Sequence, residues 1–411
     1  MGAEWTTVPI KELYEGLYDG PHATPKTSDE GPVFLGIKNL TDDGHLDLAE
    51  IRHIAEEDFV AWTRRVEPRP GDIVFTYEAT LNRYAIIPEG FRGCLGRRMA
   101  LIRTDPRKVD TRFLFYYFFS PAWREVITNN MMSGATVDRI PLVTFPNFPV
   151  KAPPLPMQRW VAGVLSVYDD LVKNGQRRIR ILEDMAQALY REWFVHFRFP
   201  GHEKLPRVAS PLGDIPKGWE VKKLSSVADV NRAQINVRDA PEELHYIDIS
   251  SVSPGQIDAV TTYAFADAPG RARRIVQHGD VLWSCVRPNR RSHAQVMHPA
   301  PNTIASTGFA VLTARKVPFT FLYYTMTTDD FVAYLTNNAT GAAYPAVTAA
   351  TFEKANLLIP SAPLLKKFGE ATVPMAEQIH RLQRQIQNLL QTRDLLLPRL
   401  TTGQQDLRRS A

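Results

Sequence analysis

The sequence predicts an α+β protein: two mixed α/β domains separated by a pair of long antiparallel coiled-coil helices, with an internal pseudo-two-fold repeat. Three observations carry this reading. Short segments recur at one offset, each recurrence sits among short β-type runs, and each half closes on a long stretch with coiled-coil spacing. Gly71-Asp72-Ile73-Val74 returns 208 residues later as Gly279-Asp280-Val281-Leu282. Phe113-Leu114-Phe115-Tyr116 returns as Phe321-Leu322-Tyr323-Tyr324, and Asn129-Asn130 as Asn337-Asn338, both at the same offset. With small gaps, Trp5…Ile10 pairs with Trp219…Leu224. Ile37–Leu40 followed by Gly44…Asp47 likewise pairs with Ile249–Val252 followed by Gly255…Asp258. Collinear matches at nearly one offset mark a duplication whose unit is about half of the 411 residues.

Each half has the same order of elements. Apolar, β-branched runs come first: Val33–Ile37, Asp72–Tyr77 and Met99–Arg103, then Tyr246–Ile249, Asp280–Cys285 and Phe309–Leu312. Gly, Pro, Asn and Asp separate them, as expected of strands and turns. An aromatic stretch with helical spacing follows, at 112–127 and 320–335, and reads as a core helix. Prolines then end each mixed region (Pro149, Pro153, Pro154, Pro156; Pro360, Pro363). The resulting segments are a first mixed domain 1–150, a central helical region 151–200, a linker 201–215, a second mixed domain 216–360, a distal helical region 361–403 and a tail 404–411.

In the helical regions, Ile179, Leu182, Ala186, Leu189 and Trp193 fall on a/d positions, with Phe194 beside them. Ile379, Leu382, Ile386, Leu389 and Leu396 do the same, with Arg393 interrupting one position. A narrow apolar seam of this kind is hidden by pairing the two helices, which a pseudo-two-fold runs antiparallel. Asn174-Gly175 predicts a kink or break in the first. Helices of ~40 residues rise ~60 Å, enough to hold two domains apart.

Composition bounds the function. Apolar residues make up 44% and charged residues 23%, the balance of a globular protein. The longest purely apolar run, Phe113–Phe119, is far below the ~20 residues a bilayer needs, so no membrane span is expected. The N-terminal MGAEWTTVPI lacks a basic then apolar signal, although Gly2 and Thr6 fit the short myristoylation pattern. Cys94 and Cys285 stand far apart with no CxxC, which suits a reducing cytoplasm without disulfide or zinc. No P-loop, dinucleotide or S-adenosylmethionine glycine turn, G-x-S-x-G or H-E-x-x-H occurs. His293 and His298 lack His or Cys partners at metal spacing. Neither catalytic residues, a metal centre nor a bound cofactor is expected.

Net charge is +5, and residues 271–293 alone reach that value, with six arginines against the single acid Asp280. A concentrated basic patch is the footprint of a phosphate-backbone binder. Two basic domains on a stiff spacer suggest a reader of two separated sites on one duplex. A non-catalytic coiled-coil adaptor, whose basic domains bind a partner other than DNA, remains the alternative. A self-contained DNA methyltransferase ranks below both.

The stretch Pro153-Pro-Leu-Pro-Met-Gln-Arg-Trp-Val-Ala-Gly-Val-Leu, then Asp169-Asp170 and Ala188-Leu-Tyr-Arg-Glu-Trp-Phe-Val-His-Phe197, resembles the central conserved region of type I restriction–modification DNA specificity subunits. Ile215-Pro-Lys-Gly-Trp-Glu-Val-Lys-Lys-Leu224 resembles the start of that family's second target recognition domain. Leu390-Gln-Thr-Arg-Asp-Leu-Leu-Leu-Pro-Arg-Leu-Thr-Thr-Gly403 is similar to its distal conserved region. Two positions depart from the pattern: His196 replaces an acidic residue, and Met157 a common Glu.

The resemblance implies a cytoplasmic, non-catalytic subunit whose two recognition domains each read half of a bipartite target in double-stranded DNA. It further implies that two methyltransferase (modification) subunits dock on the helices, bringing S-adenosylmethionine, and that restriction/translocase subunits bring ATP and Mg. Base contacts in the major groove favour Arg and Lys to guanine and Asn and Gln to adenine. The candidates in the second domain are Arg287, Asn289, Arg290, Arg291 and His293, with Arg271, Arg273 and Arg274 toward phosphates. Pro288 is expected to keep Arg287 extended. The positional match in the first domain is Tyr77–Arg83, with Tyr77, Asn82 and Arg83, and with Arg97 and Arg98 toward the backbone. Lys38 and Asn39, paired with Ser250-Ser251, are further candidates. The returns Ser133–Thr136 and Thr340–Ala343 are expected to offer amides to phosphates.

Overall fold

The computed structural model describes residues 4–133, 137–236, 238 and 240–402. Gly2, the Gly134–Thr136 part of the first return, Gly403 and the 404–411 tail lie outside the described residues. The chain forms two compact units, residues 1–174 with 386–411, and residues 175–385.

In chain order the first unit begins with β1 (Thr6–Pro9), β2 (Tyr14–Asp19), β3 (Ser28–Leu35) and β4 (Arg52–His53). A single-turn α1 (Phe59–Trp62) precedes β5 (Ile73–Thr76), β6 (Tyr84–Ile86), β7 (Gly93–Leu95) and β8 (Met99–Thr104). Next come α2 (Thr111–Tyr117), α3 (Pro121–Asn130), β9 (Pro149–Ala152) and the long α4 (Leu155–Tyr190), which a π-helical turn, Arg191–Val195, extends. The main sheet has the antiparallel order β2-β8-β5-β6, a smaller sheet has the order β4-β3-β7 with β3 and β7 parallel, and β1 pairs with β9.

The second unit opens with β10 (Arg207–Val208), β11 (Ile215–Pro216), β12 (Glu220–Lys223), β13 (Ala228–Val230) and β14 (Glu243–Ile247). It continues through β15 (Val252–Ser253), β16 (Gln256–Ile257), β17 (Thr261–Ala264), β18 (Ala272–Ile275), β19 (Val281–Ser284) and β20 (His293–Gln295). β21 (Thr303–Ser306), β22 (Phe309–Ala314), α5 (Phe319–Met326), α6 (Asp329–Asn337), α7 (Ala349–Lys354), β23 (Asn356–Ile359) and α8 (Ala362–Thr402) complete the chain. The sheet β13-β22-β19-β20 repeats β2-β8-β5-β6, and β17-β14-β21-β18 repeats β4-β3-β7 with one strand added. The pair β12-β23 repeats β1-β9.

The recurring segments have structural explanations. Gly71 and Gly279 take left-handed φ values of +87° and +83°, and the aspartate after each accepts an amide N–H from three residues back. That turn feeds β5 and β19, both buried along their whole length. The Ile37 and Ile249 matches are 3-10 turns, after which Asp47 and Asp258 each donate their N–H to the turn's last carbonyl at 2.8 Å. Asn130 and Asn338 each donate to a carbonyl four residues back at 2.8 Å, finishing α3 and α6 alike.

Each aromatic stretch is two helices rather than one. Ser120 and Thr328 break it by accepting the amides of Trp123 and Phe331, which starts a new helix. The first core centres on Phe75, Phe113, Phe118, Trp123 and Phe145, and the indole of buried Trp123 donates to the Tyr84 hydroxyl at 2.9 Å. α4 runs unbroken through Asn174-Gly175, so the expected break there is corrected; Gly175 is buried. The cysteines are free, and burial pushes their thiols up, to about 12 for Cys94 and about 11 for Cys285.

Candidate nucleic-acid interface

The loops that leave β5 and β19 are built alike. In the first unit, Met132 and Arg139 bridge to each other and Arg139 bridges to Glu78. In the second, Thr340 and Ala346 bridge to each other and Ala346 bridges to Val286. A pair of antiparallel bridges therefore clamps each candidate recognition loop, and the second expected return, Thr340–Ala343, lies between the bridged residues of its clamp. The second clamp carries Tyr344, 69% exposed, an aromatic that residue-type reasoning about base contacts passed over.

In the second unit the arginine loop is held from beneath. The Arg287 amide donates to Pro345 at 2.7 Å, and its guanidinium reaches the Ala343 carbonyl at 3.2 Å while lying 4.8 Å from the Tyr344 ring centre. This clamp places Arg287 at φ +51°, a left-handed conformation, which corrects the extended one expected before proline. Pro288 is buried beneath the turn, which leaves Asn289 and Arg290 exposed at its crest, their side chains with no partner among the described residues. Arg291, at φ +55°, is ion-paired to Asp329 in the first turn of α6. Among the described residues the Arg271 side chain is exposed and unpaired, Arg273 lies 5.8 Å from the Phe265 ring centre, and the Nε of Arg274 is buried without a partner.

His293 is corrected from a base reader to a core ring. It is 7% exposed and stacks on Trp283 at 4.6 Å and 14°, as Tyr84 stacks on Phe75 in the first unit. Burial, then the nearby Arg291 charge, draws its pKa down to about 4, so the ring is neutral near pH 7. Its Nδ1 is buried without a hydrogen-bond partner among the described residues.

The first unit's candidates are mostly occupied. Tyr77 is buried in the core, at 5% exposure. Asn39 is buried and its amide is used up: Oδ1 accepts from Gly36 N–H at 2.9 Å, and Nδ2 donates to Asp47 and Glu50 carbonyls. It fixes its own turn and is corrected from the list of base readers. Asn82, at φ +61°, accepts from the Tyr84 hydroxyl at 3.3 Å. Arg83 is paired with Asp42 at 2.7 Å and Arg98 with Glu78 at 2.9 Å. Lys38 and Arg97 are exposed and unpaired among the described residues.

The helix-pair residues divide between the units. In the second, Phe194 is in the core, Leu189 and Trp193 pack on it, and Phe194 and Phe368 rings lie 4.9 Å apart. Leu382 is buried, while Ile179, Leu182 and Ile379 are half-buried. In the first, Leu396 packs on the core that Leu397 and Leu400 enter, and Ile386 and Leu389 are half-buried. Arg393, read from spacing as an interruption, is a polar pin: its guanidinium donates to Asp169 at 2.8 Å, and the Tyr116 hydroxyl donates to the same carboxylate at 2.5 Å. Each unit joins the two long helices, Asp169 with Arg393 in one and Tyr190 beside Phe368 in the other. Gln158 of the central motif is buried and accepts the Asp110 amide at the start of α2. His196 is exposed, and Met157 packs partly buried on the first core.

These features define a duplicated, two-domain protein with a pair of long helices, and the same fold is known from a solved structure. The specificity subunit of a type I restriction–modification system from M. genitalium aligns over 97% of this chain and 96% of its own, with TM-score 0.60 and 16% identity. Curated relatives are more specific. The type I restriction enzyme MjaIX specificity subunit of Methanocaldococcus jannaschii is 24% identical over 365 residues, 86% of this chain and 82% of that protein. The HindI specificity subunit of Haemophilus influenzae is 20% identical, covering 82% of this chain and 87% of its own. No family model matches the chain. The chain is thus similar, over most of its length, to type I restriction enzyme specificity subunits. No helix among the described residues is long and apolar enough to cross a membrane.

Proposed function

We propose that this chain is the DNA-recognition subunit of a type I restriction–modification enzyme. Each α/β domain reads one half of a bipartite target, and the long helices fix the spacer and dock two methyltransferase subunits. S-adenosylmethionine, ATP and Mg belong to those subunits and to the restriction/translocase subunits, so the chain is non-catalytic by itself and works in the cytoplasm. The observation that carries the reading is similarity to named specificity subunits along 86% of the chain. The duplicated, bridge-clamped loops support it, because each domain presents the same platform once.

The test is duplex binding by the purified chain, alone and with methyltransferase subunits, on a target located by methylation mapping in cells. Affinity should fall steeply between low and physiological salt, because phosphate contacts release counterions. Affinity indifferent to salt would overturn the proposal. Arg290→Ala should weaken binding by roughly tenfold and lower the salt slope by ~1, through one half-site only. Equal loss at both halves contradicts separate reading.

A further inference from the structure

The second unit gathers three metal-ligating side chains from distant points in the sequence. His278 follows β18, His298 follows β20, and Glu377 lies on α8. One ligand atom from each lies within 4.8 Å of the others. Nε2 of His298 is 2.8 Å from Oε2 of Glu377, and Nε2 of His278 is 3.7 Å from Oε1 of the same carboxylate. The two imidazole centres are 4.4 Å apart. His380, one helical turn beyond Glu377, flanks them with its ring centre 5.5 Å from that of His298.

Backbone geometry favours the same placement. His298 takes φ +46°, a left-handed conformation that a β-substituted residue adopts only where its surroundings hold it. The His278 ring is held lightly, by a long 3.3 Å hydrogen bond from the His298 amide to Nδ1, so it is free to reorient toward a ligand. All three side chains are partly exposed, which leaves an entry path. Two imidazoles and one carboxylate form the borderline nitrogen and oxygen donor set that Zn²⁺ takes. Zn–ligand bonds of ~2.1 Å separate tetrahedral ligand atoms by about 3.4 Å, so the group needs to contract only slightly.

We propose that His278, His298 and Glu377 bind a zinc-class divalent ion, with water completing the shell, and that the ion ties two loops of the second domain to α8. The site is confined to one unit. The residues 208 positions before its ligands are Pro70, Gly90 and Asp169, and Asp169 holds Arg393 instead. The ion and that ion pair are two solutions to one task, fastening an α/β domain to its long helix. This inference is independent of what the domains recognise.

The experiment uses the untagged full chain, dialysed against EDTA and then titrated with Zn²⁺ by calorimetry and with Co²⁺ by visible absorption. One equivalent should bind and raise Tm. His298→Ala and Glu377→Gln should each weaken binding by more than the ~100-fold that loss of a mere supporting group costs. His22→Ala, in the other unit, should leave binding unchanged. If His298→Ala fails to fold by circular dichroism in EDTA, His278→Gln, on an exposed loop, serves in its place with the same expected loss. Absence of a one-equivalent complex, or equal binding by the wild type and the cluster variants, overturns the site.

Discussion

The Tyr77–Arg83 loop and the Cys285–Ser292 loop leave equivalent strands and are clamped by equivalent bridges, yet they treat their arginines differently. In the first unit nearby acids take the guanidinium groups: Arg83 pairs with Asp42, Arg98 with Glu78, Arg65 with Asp19 and Arg92 with Glu56. In the second, of the six arginines in 271–293 only Arg291 has an acidic partner among the described residues. The contrast extends inward. Asp72 is buried against Arg103, which donates to it twice, at 2.9 and 2.7 Å. At the corresponding position Asp280 has Thr313, whose hydroxyl donates at 2.7 Å, and no ion pair among the described residues, Arg232 acting on it only from a distance. A duplicated backbone thus carries two charge designs: one surface whose arginines are paired with acids, and one that leaves most of them without an acidic partner among the described residues.

Four stability measurements can break or sharpen this contrast. The largest effect is expected from Asp169→Ala. It strips the carboxylate from Arg393 and Tyr116 together and should cost about 4 kcal/mol in urea unfolding, because a buried cation keeps only the exposed Asp394 and a part-buried hydroxyl loses its acceptor. A loss below 1 kcal/mol would show that the apolar seam alone holds α8 to the first domain. Arg103→Thr, which imports the second unit's arrangement, should cost about 3 kcal/mol, since buried Asp72 keeps its charge without its cation.

Asp280 gives the third test. Burial, opposed by the Thr313 hydrogen bond, raises its pKa to about 6. The folded chain therefore keeps a proton that the unfolded chain releases above pH 4, so this group's contribution is full below pH 4 and is lost as pH rises through 6. The loss is on the order of 2 kcal/mol. Unfolding of Asp280→Asn followed from pH 4.5 to 7 should lack that decline; an unchanged pH profile would remove Asp280 from the account. The smallest effects belong to Ser120→Ala and Thr328→Ala, matched caps that should each cost about 1 kcal/mol. Unequal values would show that the duplicated helices have diverged in their folding.

What the sequence displays depends on whether a feature is local. The Gly-Asp turns and the asparagine helix ends recur at one offset because each is made within a few residues. The corrections come from partners far apart in the chain. Nothing near His293 announces that it stacks on Trp283 in the place Tyr84 takes over Phe75. Nothing near Asn39 shows that carbonyls 8 and 11 residues away use up its amide. Arg393 looked like a flaw in a heptad because its carboxylate is 224 positions earlier. His298 looked isolated because Glu377 is 79 positions later. The basic stretch 271–293 shows in the charge count, but Asp19, the acid that pairs with Arg65 in the first unit, lies 46 residues from it.

The two thiols, one buried and one half-buried, have a practical consequence. With both cysteines shielded and protonated at neutral pH, maleimide reagents meet an almost silent background. A single cysteine placed at exposed Asn289 would then accept one dye at the crest of the arginine loop. Its emission would report, molecule by molecule, when that loop meets a ligand and how long it stays.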